Sequence, residues 1–268
     1  MIYRNIFLLL PLAAISAVCQ QTPGGLSAEE MTSLRAEYGK LNEQTFKLKG
    51  NPQMGRILDE APERVPVVRK ELLDVLRRGI TQAFSSPRPT DGQIRDAISG
   101  VQGDFALSAG WGNGWDGTNT PFADLFSLNG DQCLAAAYAI MEGGEGIPDS
   151  QSFLDFYVKR SNESKLQAVT GSEFRSSTFF VSSIPAGLAG ESWFLAWGVH
   201  IGNTRGKLSI RLYAFDGDKV RVVWKRDELP YGQVEISGSI VTLDYVKDLD
   251  RDVARTHEVL HIAPDGLR

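Results

Sequence analysis

The chain is short of cysteine and histidine: its 268 residues carry two of the first and three of the second. Two cysteines exclude a disulfide-dense scaffold, and a chain of this size can bury ~75% of its unfolded surface without one. Cations are also in deficit, 28 against 33 acidic residues, for a formal net charge of −5. That balance argues against a nucleic-acid binder, which carries a basic stripe. Past the N-terminal segment no apolar run approaches the ~20 residues that a spanning helix needs, so no transmembrane segment is expected in the mature chain. Internal self-similarity is missing too, which excludes a repeat architecture. Hydrophobic residues make up 42% and charged residues 23%, excluding collagenous and wholly disordered chains.

The N-terminus reads as an export signal. Arg4 supplies the positive end, and Ile6 to Val18 is an apolar run interrupted by Pro11 and Ser16. Residues 1–19 are therefore assigned to a signal peptide, cut after Ser16 or Cys19, and 20–26 to a polar tether. The expected location is periplasmic or extracellular. Cys19 opens an alternative, a lipid anchor at the envelope, although Ser16 and Val18 stand where lipoprotein signals usually carry Leu and a small residue. Loss of Cys19 with the signal, or its lipidation, leaves Cys133 without a disulfide partner; an internal disulfide needs cleavage upstream of Cys19.

Residues 27–170 read as mainly helical. Ser27 and Glu30 form a capping box flanked by Leu26 and Met31, with Leu34, Tyr38, Leu41 and Leu48 following at helical spacing. A second helix starts near Pro66, with Val68, Leu72, Val75, Leu76, Ala83 and Phe84 on one face and Arg69, Lys70, Arg77 and Arg78 on the other. Thr90 and Gln93 form another capping box ahead of Ile94, Ala97, Ile98 and Val101. Asp131 is expected to cap a buried helix over Cys133–Met141, and Phe153, Phe156, Tyr157 and Arg160 suggest a further helix after Asp149. That helix start would favour a Cys133 thiolate, the arrangement of a nucleophile; its apolar surroundings favour an inert, buried thiol instead.

From about Gly171 the period changes to alternation, so 171–268 reads as an antiparallel β region. Trp193, Leu195, Trp197 and Val199 share one face, as do Leu208, Ile210, Leu212 and Ala214. Asp216-Gly217 marks a hairpin, and Ser237-Gly238 another. The segment Leu212-Tyr213-Ala214-Phe215-Asp216-Gly217 is similar to a blade hairpin of quinoprotein-type β-propellers; it occurs once where a propeller needs several blades, so it implies a hairpin only. Helices first and a meander second give the fold class α+β.

Two segments suggest chemistry. The first, His257-Glu258-Val259-Leu260-His261, resembles the zinc-peptidase pattern H-E-x-x-H. On a helix, residues i and i+4 share a face, so both imidazoles would ligate one zinc ion with Glu258 as general base on its water. Two features weigh against it. Few residues follow His261, and the only ligand type among them is Asp265. The position after two hairpins also favours a closing strand, and four residues of strand span roughly 13 Å. The second segment, Gly110 to Asn119, sets Trp111 and Trp115 beside Asn113 and Asp116, a chemistry suited to stacking on a sugar or peptide; a loop folding over its own aromatics is the plainer reading. The leading expectation is a non-enzymatic envelope or secreted factor without a cofactor, its partners unspecified. The rivals are a zinc metallohydrolase and a carbohydrate- or peptide-binding module.

Overall fold

A computed structural model describes residues 26–49, 65–103, 121–141, 150–161, 163–170, 174–175, 178–185, 190–201, 206–247, 254–263 and 266–268. The chain begins with helices α1 (Ala28–Lys49), α2 (Val65–Phe84) and α3 (Asp91–Gln102). Both capping boxes form: Ser27 Oγ accepts from Glu30 N–H while Glu30 Oε2 accepts from Ser27 N–H, and Thr90 and Gln93 exchange the same pair of bonds. The apolar stripes pack where their spacing directs them, burying Leu34, Tyr38, Leu72, Leu76, Ile94 and Ile98. Gly79 lets α2 and α3 cross closely, since a Cβ there would lie 2.9 Å from Val101 Cγ2.

Strands begin earlier than the sequence pattern suggests. β1 (Phe122–Leu128), β2 (Asp131–Met141), β3 (Ser150–Arg160) and β4 (Glu163–Val169) make an antiparallel sheet in that order, with β5 (Phe174–Arg175) also pairing β3. Two expectations are corrected here. Cys133–Met141 is a strand, not a helix, and so is the stretch carrying Phe153, Phe156, Tyr157 and Arg160. A run that is apolar on every side has no period with which to tell helix from buried strand. The Ala-rich centre of β2 tilts propensity the wrong way. The deciding signal is Asn129-Gly130, at φ 54° and 89°, a two-residue turn that pairs Leu128 with Asp131. Asp131 therefore opens a strand rather than capping a helix, and helices give way to strands between Gly103 and Phe122, not near Gly171.

The second sheet contains β6 (Thr178–Ile184), β7 (Ser192–Ile201), β8 (Gly206–Phe215) and β9 (Val220–Pro230) in sequence order. The third contains β10 (Gln233–Ser237), β11 (Ile240–Val246), β12 (Arg255–Ala263) and β13 (Gly266–Leu267). The expected hairpins at Asp216-Gly217 and Gly238 both form. The protein is α+β, with antiparallel meanders following the helices.

The sheets stack in layers. The helices cover one face of the first sheet. Its other face meets Phe179, Phe194, Ala196, Tyr213 and Phe215 of the second sheet, and all of these share one core. Trp193, Leu195, Leu208, Ile210 and Leu212 point the opposite way and join Val241, Leu243 and Ile262 of the third sheet in a second core. Both faces of the middle sheet are thus buried, which is why β7 and β8 carry apolar residues at consecutive positions. Small residues on β2 (Cys133, Ala135, Ala137) leave room at the first junction for four rings. Phe156 stacks on Phe215 at 4.6 Å and meets Phe194 edge-on at 5.2 Å, while Phe126 lies 5.4 Å from Phe194.

Candidate functional site

β12 decides the fate of the zinc motif. Its residues alternate across the strand: Arg255, His257, Val259 and His261 face solvent, whereas Thr256, Glu258, Leu260 and Ile262 turn toward the third sheet's inner side. The two histidines share a face but lie roughly 13 Å apart, beyond the reach of one ion. Glu258 points away from both and accepts a 2.6 Å hydrogen bond from Tyr245 Oη, a bond that raises the Tyr245 phenol pKa. The closing strand that the position after two hairpins favours is the one that forms, and along it the helical spacing that the rival zinc reading of His257, His261 and Glu258 needs is absent. His257 Nδ1 instead sits 3.8 Å from Asp244 Oδ2, and Asp244 is also paired with Arg255. Among the described residues no three His, Cys, Asp or Glu side chains converge as a metal site.

The remaining nominated residues separate clearly. Trp111, Asn113, Trp115 and Asp116 lie outside the described residues, as does Cys19. Cys133 is fully buried on β2, and burial pushes its thiol up to about 11, the reverse of an activated nucleophile. The basic face of α2 is only partly turned to solvent. Lys70 is exposed and Arg78 pairs with Glu37 across half-exposed surface, but Arg77 turns inward.

That inward turn creates a polar centre the sequence pattern did not nominate. Arg77 donates through Nε (2.8 Å) and Nη2 (3.3 Å) to the two carboxylate oxygens of Asp155 on β3. Asp155 is 0% exposed and Arg77 19%. Tyr138 Oη, from β2, donates to Asp155 Oδ2 as well. Tyr157, two residues along the same face, is fully buried, and its hydroxyl has no hydrogen-bond partner among the described residues. Burial raises the Asp155 pKa, with Arg77 and Tyr138 pulling against it. Both phenols are held well above their ordinary value by burial and by the Asp155 carboxylate. The centre thus contains one ion pair and two neutral phenols, clamping the helical layer to the first sheet. The available signal was Asp155 itself, one carboxylate inside Phe153-Leu154-Asp155-Phe156-Tyr157-Val158; a charge in such a run needs a buried partner.

Outside this centre lies a groove of about 480 Å³, open to solvent. Leu34 of α1 and Leu166 of β4 give it apolar walls, and Asp74, Arg77, Arg78 and Thr81 of α2 line its rim. Arg77 is shared: its Nε and Nη2 hold Asp155 while the same side chain forms part of the groove. The groove runs beside the edge of the first sheet, because β4 ends the strand order. No described helix is long and apolar enough to cross a membrane. Comparison with protein-family models, with curated proteins and with solved structures found no match.

Proposed function

We propose that the chain is an exported, non-enzymatic factor of the periplasm or extracellular space that works by binding. The observation that carries the reading is the strand conformation of β12, which separates the residues of the one recognisable catalytic motif. The buried Arg77–Asp155–Tyr138 centre supports it, since these groups are spent on holding two layers together. The groove beside β4 supplies a concave surface for a ligand, at a volume within the usual range for binding sites. Export rests on the Arg4 and Ile6–Val18 pattern.

Fractionation and intact mass of the expressed full-length chain test the first half: the product is expected outside the cytoplasm, beginning after Ser16 or Cys19 and without lipid. A cytoplasmic product retaining Met1 overturns export, and a diacylated Cys19 replaces secretion with anchoring. Metal analysis tests the second half. One equivalent of zinc in purified protein, lost in His257→Ala, would establish the metallohydrolase in place of the binding factor.

A further inference from the structure

Beyond the binding reading, we propose that Arg77 is an acid-operated latch with two holding points, the buried carboxylate of Asp155 and the exposed carboxylate of Asp74. Protonation of Asp155 frees the guanidinium from the first sheet, and the side chain turns outward into the groove beside α2.

The two partners differ first in their access to water. Asp155 is 0% exposed on β3, whereas Arg77 is 19% exposed and lines the open groove. The guanidinium therefore has a way out, and the carboxyl has none. Asp74 stands on the same rim, one turn earlier on α2. Side chains at that spacing are neighbours on one helix face, so the outer holding point lies within reach.

The hydrogen bonds at Asp155 show where the proton goes. Oδ2 accepts from both Arg77 Nε and Tyr138 Oη. Among the described residues Oδ1 accepts a single, longer bond, 3.3 Å from Arg77 Nη2. Oδ1 is thus the less committed oxygen and takes the proton. As an O–H it donates, and it then faces an Nη2 group that can only donate. That half of the clasp becomes donor against donor, and the bond at Oδ2 loses the charge that strengthened it. Tyr138 still donates to Oδ2. Tyr157 Oη is fully buried, unpartnered among the described residues and near enough to feel the carboxylate, so it can accept the new hydrogen.

Few charges change in the process. Arg77 from α2, Tyr138 from β2 and Tyr157 on β3 are the titratable groups that act on the carboxyl. Tyr38 of α1 accepts from Gln102 instead, and among the described residues α3 and β4 place no charge that acts on it. Arginine stays cationic and the phenols stay neutral through the acid range, so Asp155 alone titrates. Outside, Asp74 shares the rim with Arg78, which is paired with Glu37. Burial raises the Asp155 pKa from its ordinary 3.8 against the pull of Arg77 and Tyr138, so the inner holding point is lost in mild acid.

The test is an NMR titration of the purified protein, labelled with ¹⁵N and ¹³C, from pH 8 downward. Asp155 ¹³Cγ, Arg77 ¹⁵Nε and the methyl groups of Leu34 and Leu166, which line the groove, should shift with one common midpoint above 3.8. Asp155→Asn should hold the Arg77 and methyl signals at their acid positions at every pH. Asp74→Asn, at an exposed position, keeps the inner clasp but removes the outer holding point, so the common midpoint should move to lower pH. An Asp155 midpoint at or below 3.8 overturns the proposal. So does an Arg77 signal that stays still while Asp155 titrates, or a midpoint that Asp74→Asn leaves in place. The parent titration and Asp74→Asn decide the matter even if Asp155→Asn fails to fold. None of these outcomes bears on export or zinc content, so they are distinguishable from failure of the binding reading.

Discussion

Arg77→Met tests the claim that the helical layer is held to the first sheet by a buried ion pair. Methionine keeps the apolar stem of Arg77 but leaves the Asp155 carboxylate, fully buried, with Tyr138 as its remaining side-chain donor among the described residues. Removing one partner of a buried pair destabilises by about 3–5 kcal/mol, which for a chain of this size is a fall in melting temperature of roughly 6–20 °C. Replacing both partners, as Arg77→Met with Asp155→Leu, removes the stranded charge and should recover most of that loss. The assay is urea unfolding followed by far-UV circular dichroism, for both variants and the parent. The pH dependence adds a second constraint. Burial sets the folded pKa of Asp155 above its ordinary 3.8, so the folded chain takes up this proton more readily than the unfolded one. Its contribution is full below the ordinary value and is lost as pH rises through the folded pKa. Without Arg77 the folded pKa rises further, so the single variant should lose more stability at pH 8 than at pH 5. A loss under about 1 kcal/mol at pH 8, or a double variant no better than the single, would refute the reasoning.

Other perturbations probe other parts of the frame. Phe156→Ala removes the ring that meets both Phe194 and Phe215 and should cost about 3–5 kcal/mol in the same unfolding assay. Gly130→Ala adds a Cβ that meets nothing within 4 Å, yet φ 89° should make it about 1–2 kcal/mol less stable by backbone strain alone. Asn42 is fully buried with both amide atoms unpartnered among the described residues, so Asn42→Leu should raise stability by about 1–3 kcal/mol. Glu191 is held below the ordinary carboxylate value by Arg221, and Trp193 Nε1 also donates to it. Its stabilising contribution is present above that ordinary value and lost as pH falls through the folded pKa, so Glu191→Gln should flatten the acid side of a melting-temperature profile.

Helices with full punctuation were legible: both capping boxes and the stripes through Leu34, Leu72 and Ile94 appear where their spacing puts them. So were hairpins with Gly turns. What failed was the inner sheet. In β2 and β3 both faces are covered, one by helices and the other by the middle sheet, so the alternation that identifies a half-buried strand is erased. The Asn129-Gly130 turn carried the correct answer, and local helix propensity in Leu134-Ala135-Ala136-Ala137 obscured it. The site divided the same way. His257 and His261 were visible as a motif, and their place after two hairpins already favoured the strand that pairs with β11. Arg77 and Asp155 are 78 positions apart and nothing local joins them.

The most direct test of the account is the conformation of the His257–His261 segment in solution, read by amide NOEs. The strand predicts cross-strand contacts pairing Thr242 with Val259 and Asp244 with His257. Sequential amide–amide and i to i+3 contacts running through residues 256–262 would instead describe a helix, reunite the two imidazoles on one face, and contradict the account.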